Sequence, residues 1–215
     1  MSFESYRSKG RVATLLLLLL PIITAIISVA ISLSRLFPPF NPYVSFIFVI
    51  PSFAVYILFL SSMNDFAKYY DEPKIFKNSL YAFAVSTGAG IVSLIATSIF
   101  ITPIMDQLSA YINSQGSPGS LPPTSIFFSL FQVFAFIWLV ISVIGILNGF
   151  FYRRAFYALA EKSGEQNFKQ AGLFMFIGGI LTIIFVGGLI FFIGLIFAVL
   201  GFFQMKPKDS QNHSA

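Results

Sequence analysis

The chain has no cysteine, one histidine and one tryptophan, and only 10% of its 215 residues are charged. Without cysteine there are no disulfides, thiolate metal sites or thiol nucleophiles, and cysteine usage says nothing about redox compartment. The lone His213 sits in a polar tail and is not expected to bind anything. Soluble domains are roughly one-quarter charged, so this composition excludes an ordinary soluble globule. The acidic residues Glu4, Asp65, Asp71, Glu72, Asp106, Glu161, Glu165 and Asp209 all fall outside the apolar runs. That argues against ion-coupled transport, because a proton or cation path ordinarily needs a carboxylate or comparable polar site within the membrane. Only scattered hydroxyls are available at depth. No catalytic residue, cofactor site or metal site is therefore expected, and the chain does not read as an enzyme.

What is present is apolar surface. Hydrophobic residues make up 57% of the chain, 28 of them phenylalanine, and the mean hydropathy is +0.85. Twelve of the thirteen basic residues fall in four short segments: Arg7 to Arg11, Lys68 to Lys77, Arg153 to Lys169, and Lys206 with Lys208. Cytoplasmic connectors between membrane spans carry such a bias. The net charge of +5 therefore implies no nucleic acid, and no basic run with interleaved aromatics occurs.

The pattern predicts an all-α, polytopic transmembrane helical bundle of six spans, with five as the alternative. A single domain covers residues 1–205, with spans at about 12–33, 43–63, 79–104, 126–151, 167–186 and 188–205, and a polar tail follows at 206–215. The first apolar core is longer than a signal-peptide core and ends in Arg35, so it reads as a retained span. The prolines of Phe37 to Pro42 predict a tight outer turn, and Pro21 and Pro51 predict kinks inside spans. Asp106 to Thr124, rich in Ser, Gly and Pro, predicts an exposed outer connection. As one helix, Ala171 to Phe203 would be about 50 Å long, too long for a core roughly 30 Å thick, so a break near Gly187-Gly188 is expected. Six spans place both termini in the cytoplasm and leave only Arg35 outside.

Ile75 to Phe83 is echoed by Asn167 to Phe176, with Phe76-Lys77 matched to Phe168-Lys169. Spans 2-3 and 4-5 would then form a parallel repeat, which transporters use and which duplication produces in any helical membrane protein. The connectors Tyr69 to Asn78 and, more strongly, Tyr152 to Gly172 resemble those of a family catalogued as domain of unknown function 996. The resemblance implies a small multi-pass membrane protein, archaeal in source, and brings no activity or catalytic residues with it.

Tyr152 to Lys162 holds no helix breaker, so the fourth helix should continue into the cytoplasm until Ser163-Gly164. Ser163 and Gln166 match a capping box for the next helix. Asp71-Glu72-Pro73 reads as a solvated turn capping the third span rather than a metal site. Arg7, Lys9, Arg11, Arg153 and Arg154 are assigned to lipid headgroups and topology, with a dedicated anion site as the rival for Arg153 and Arg154. Gln132 and Asn148 lie about 24 Å apart along one helix and cannot share a site. Each is expected to bond a neighbouring helix. Small residues mark helix-packing faces: Ala82, Ser86 and Gly90; Ala89, Ser93 and Thr97; Gly145 and Gly149; and Gly187, Gly194 and Gly201 at seven-residue intervals. The expected partners are membrane lipids and another membrane protein or a second copy. The expected role is a non-enzymatic structural or assembly component of the cell membrane; the alternative is a transporter or channel for a neutral or lipid-like solute.

Overall fold

The computed structural model describes residues 3–34, 42–115 and 124–207. Arg35, the outer turn up to Asn41, the Gly116 to Pro123 part of the outer connection, the tail beyond Pro207 with His213, and the side chains of Ser93 and Thr97 lie outside the described residues. Seven α-helices make up the described chain: α1 Phe3–Ser34, α2 Pro42–Tyr69, α3 Pro73–Ala96, α4 Thr102–Gln115, α5 Thr124–Ser163, α6 Gln166–Leu181 and α7 Gly187–Gln204. A π turn (Thr97–Ile101) joins α3 to α4, and a 3-10 turn (Thr182–Ile184) lies between α6 and α7. Pro42 and Pro73 stand first in their helices, where a missing N–H costs nothing.

Five of these helices, α1, α2, α5, α6 and α7, are long and apolar enough to cross a membrane. Packing follows a closed circuit, in which α1 lies on α2, α2 on α3, α3 on α5, α5 on α6, α6 on α7, and α7 back on α1. The 40 residues of α5 span about 60 Å, twice a hydrocarbon core, so this helix runs on past the membrane as its sequence predicts. It stops where Gly164 takes a positive φ of 70°, a conformation that only glycine adopts without strain.

Several sequence expectations need correction. The break in the last apolar run falls at Thr182 to Val186, with Phe185 left-handed at φ 66°, and Gly187 already opens α7. Gly187 is needed for packing, because a Cβ there would strike the carbonyl of Gly178 and the hydroxyl of Thr182. The outer connection is not wholly irregular. The helix of α3 carries through the π turn into α4, so Asp106 to Gln115 are helical. The cap of α6 is Glu165, whose carboxylate accepts from the Asn167 N–H at 3.2 Å, while Ser163 donates to the Leu159 carbonyl and accepts from the Glu165 N–H.

The repeat exists in a register one residue from the expected one. Phe59, Ser62, Met63, Phe66 and Ala67 of α2 and Tyr70 just past its end are buried, and Tyr152, Ala155, Phe156, Leu159, Ala160 and Ser163 are buried at the same interval on α5. Ile75, Ser79 and Ala82 then match Phe168, Gly172 and Met175. Asp71 (φ 52°) stands opposite Gly164, and the bonds Ile75 N to Glu72 O (3.2 Å) and Phe168 N to Glu165 O (3.3 Å) coincide. Phe76 is only half-buried, which is why Ile75 and not Phe76 pairs with Phe168.

The core gathers at the connector end. Phenylalanine rings pass round the circuit: Phe66 of α2 to Phe202 of α7 (5.4 Å between centroids), Phe202 to Phe168 of α6 (4.8 Å), Phe168 to Phe156 of α5 (6.0 Å), and Phe156 back to Phe59 of α2 (6.3 Å). All five are almost completely buried, and Met63, Met175 and Met205 fill between them. Tilted and edge-on pairs among them add to the burial energy.

Candidate functional site

Two features could support a function: the charged connector end and a cavity just beyond the ring of phenylalanines. The connector end is built partly by α1. Arg7 donates to the Met205 carbonyl at 3.0 Å and to Glu4 at 2.6 Å. Arg11 donates to the carbonyls of Phe202 and Phe203, both at 3.0 Å, with its guanidinium 4.7 Å from the Phe203 ring. The last carbonyls of a helix have no intrahelical donor and carry the negative end of its dipole. Two arginines of α1 therefore close the C-terminal end of α7. Lys9 meets Asp65 of α2 at 2.7 Å and Ser61 at 2.5 Å. Further links close the same end, from Lys162 to Glu72 at 3.7 Å and from Asn167 to Gln204 at 2.9 Å.

Arg153 and Arg154 are held differently. The Arg153 guanidinium lies 5.2 Å from the Tyr157 ring and 5.0 Å from the Phe176 ring, and Arg154 lies 4.8 Å from Phe150. Lys169 approaches the same Tyr157 ring at 5.9 Å. Among the described residues, no carboxylate lies within ion-pair reach of these three.

The cavity, about 190 Å³, lies between α1, α2, α5, α6 and α7 and is lined by Leu17 and Pro21 of α1, Tyr56 and Phe59 of α2, Tyr152 of α5 and Phe191 of α7, among others. Its polar groups are the hydroxyls of Tyr56 and Tyr152, which are hydrogen-bonded to each other, and Tyr56 also bonds Ser86. Ser86 accepts from the Asn148 amide at 2.8 Å, which leaves the buried Asn148 Oδ1 without a partner. Asn148 thus joins α5 to α3, as expected for a lone amide in a span, whereas Gln132 is exposed on the outer half of α5.

The small residues mostly lie at helix crossings. A Cβ on Gly149 would come within 2.6 Å of the Met175 carbonyl, one on Gly194 within 3.0 Å of the Ala171 carbonyl, and one on Gly201 within 2.6 Å of the Phe168 ring. Gly145 faces Thr182 and Gly179, Ala82 is buried, and Ala89 is half-buried. A Cβ on Gly90 would meet nothing within 4 Å among the described residues. Sequence reasoning missed Tyr56, Tyr152 and Asp65. The signal for Asp65 was a carboxylate between two apolar runs with three cations on the preceding helix. No comparable signal marked the tyrosines.

Among the described residues no group of acidic and histidine side chains could hold a metal. A closed circuit of apolar helices with its described charges, Asp106 apart, gathered at one end defines a polytopic helical membrane protein. Within that class, the chain belongs to the family described as Protein of unknown function (DUF996), which matches residues 51–196 and so takes in both hairpins, α2-α3 and α5-α6. The uncharacterised protein MJ1644 of Methanocaldococcus jannaschii is 24% identical over 161 residues, covering 75% of this chain and 82% of that protein. No solved structure matches the chain.

Proposed function

We propose that the chain is a non-enzymatic structural or assembly component of the cell membrane, with its termini and basic connectors in the cytoplasm. The observation that carries this reading is the ring of phenylalanines, because it packs the bundle at the connector end with buried apolar rings. Spent charges fit the same reading, since Arg7, Lys9 and Arg11 tie α1 to the end of α7 and to α2. The outer half of α1 supplies the surface for a partner. From Ile22 to Ala30 nearly every described side chain is exposed, Ile26 at 63% and Val29 at 59%, so among the described residues little covers this stretch of the helix. A span of a larger assembly, or of a second copy, would pack there. We take α3 as the sixth span, a reading supported by its packing along α5 and by the Asn148 to Ser86 bond between the two helices.

The test is gentle extraction of a tagged copy from its native membrane, followed by sizing and identification of what co-purifies. Recovery in a stoichiometric complex with another membrane protein supports the assembly role. Recovery alone, carrying a bound solute, would favour the second reading, a carrier for a neutral or lipid-like molecule. The central cavity is what favours that reading, with a lining apolar apart from two hydroxyls.

A further inference from the structure

Seven of the cations at the connector end form two sets. Arg7, Lys9, Arg11 and Lys162 are engaged by carboxylates, a hydroxyl and the terminal carbonyls of α7. Arg153, Arg154 and Lys169 face aromatic rings. A ring face attracts a guanidinium yet uses none of its in-plane N–H donors, so both arginines keep their fork of donors available. Their place along the chain is specific. The apolar run of α5 ends at Tyr152, so the next two residues stand where the helix leaves hydrocarbon.

The approach of Lys169 to Arg153 is built into the α5-α6 crossing. A Cβ on Gly172 would lie 3.1 Å from the Cα and carbonyl oxygen of Arg153 and 3.2 Å from the Tyr157 ring. That close approach brings Lys169, one turn earlier on α6, to the ring that Arg153 also touches. Phe150, Arg153, Arg154 and Tyr157 line a depression of about 230 Å³. On the same two helices Leu147, Leu173 and Ile180 are exposed, giving apolar surface to a chain hanging from that depth.

We propose that Arg153, Arg154 and Lys169 bind the phosphate of one anionic membrane phospholipid, with Phe150 and Tyr157 as the walls beneath its headgroup. Guanidinium forks match phosphate oxygens in pairs. Two guanidiniums lining one depression, with Lys169 at the Tyr157 ring that borders it, favour a headgroup of net negative charge over a zwitterionic one, whose own cation they would repel. This inference deepens the assignment of these residues to lipid headgroups and is independent of any partner protein.

The full-length protein is placed in nanodiscs of phosphatidylglycerol and phosphatidylcholine, released in the gas phase, and weighed with its retained lipid. The wild type is expected to keep one phosphatidylglycerol, and R153Q/R154Q to lose it by about tenfold. K68Q/K74Q removes the same charge from two exposed lysines of the other connector and is expected to retain the lipid. Lys169→Gln, on an exposed position, reads the same site severalfold more weakly should the double variant fail to fold. Equal retention by R153Q/R154Q or by Lys169→Gln overturns the proposal, as does equal loss in K68Q/K74Q or equal retention of phosphatidylcholine. Protection against heat by inorganic phosphate alone, matching that by lipid, would also overturn it and assign the site to a soluble anion.

Discussion

The hairpins α2-α3 and α5-α6 share one register of buried positions and one turn geometry, yet they are held together by different means. Where the second hairpin has Gly149, Gly172 and Gly179, the first has Tyr56, Ser79 and Ser86. In the second, those glycines put backbone against backbone, Gly149 against Met175 and Gly179 against the Gly145 carbonyl. In the first, the matching positions carry hydroxyls. Ser79 bonds back to the Ile75 carbonyl, and Tyr56 reaches Tyr152 and Ser86. One frame has thus become a tight seam in one copy and a polar seam bordering a cavity in the other. A repeat sets where helices cross, and the residues at the crossings decide whether the space between them closes.

The comparison breaks first at the seam. Gly179→Ala would drive a methyl group into the Gly145 carbonyl and is expected to cost about 3 kcal/mol, near the top of the range for overpacking. Ser86→Ala, its counterpart, should cost about 1 kcal/mol through the lost hydrogen bond. Thermal unfolding in mild detergent measures both, and equal losses would show that the hairpins do not differ in this way. The next effect is on α1, which holds α2 by charge. Lys9→Met strands the carboxylate of Asp65, whose side chain is 17% exposed, and is expected to cost about 2 kcal/mol. K9M/D65L should regain most of that loss, and no recovery would mean that Lys9 matters through packing alone. A smaller pair tests the turn. Gly164→Ala is expected to lose about 1 kcal/mol and Asp71→Gly to gain somewhat less, because both positions have positive φ and only one has the residue that suits it.

Much of this was legible in the sequence. The fixed charges bounded the apolar runs, Ser163-Gly164 marked the end of α5, and the length of the last run required a division. What was not legible depends on contacts remote in sequence. Nothing near Arg7 or Arg11 says that their acceptors lie at the far end of the chain, since any helix end offers carbonyls. The alignment Phe76-Lys77 with Phe168-Lys169 followed letters rather than burial, and the buried face settled the register. The helical course of Asp106 to Gln115 was hidden by Pro103, which lies within the continuous helical stretch, two residues past the π turn Thr97–Ile101.

The smallest effect distinguishes the two ends of the shared turn. Tyr70 and Ser163 occupy the same position, but Ser163 both donates and accepts, while the buried hydroxyl of Tyr70 has no partner among the described residues. Burial pushes the Tyr70 phenol above its ordinary value, and the neighbouring Tyr69 adds to the rise. In the unfolded chain the phenol ionises near its ordinary value of about 10. From that pH upward the unfolded state releases a proton that the folded state keeps. Stability is therefore fully present below about pH 10 and is lost progressively above it. Tyr70→Phe removes the unpartnered hydroxyl and is expected to raise stability by up to about 1 kcal/mol at neutral pH. It should also flatten the alkaline decline, and melting curves from pH 8 to 11 follow both effects. Destabilisation by Tyr70→Phe with an unchanged alkaline slope would mean that the hydroxyl is satisfied in the folded protein and that the two ends of the turn are equivalent after all.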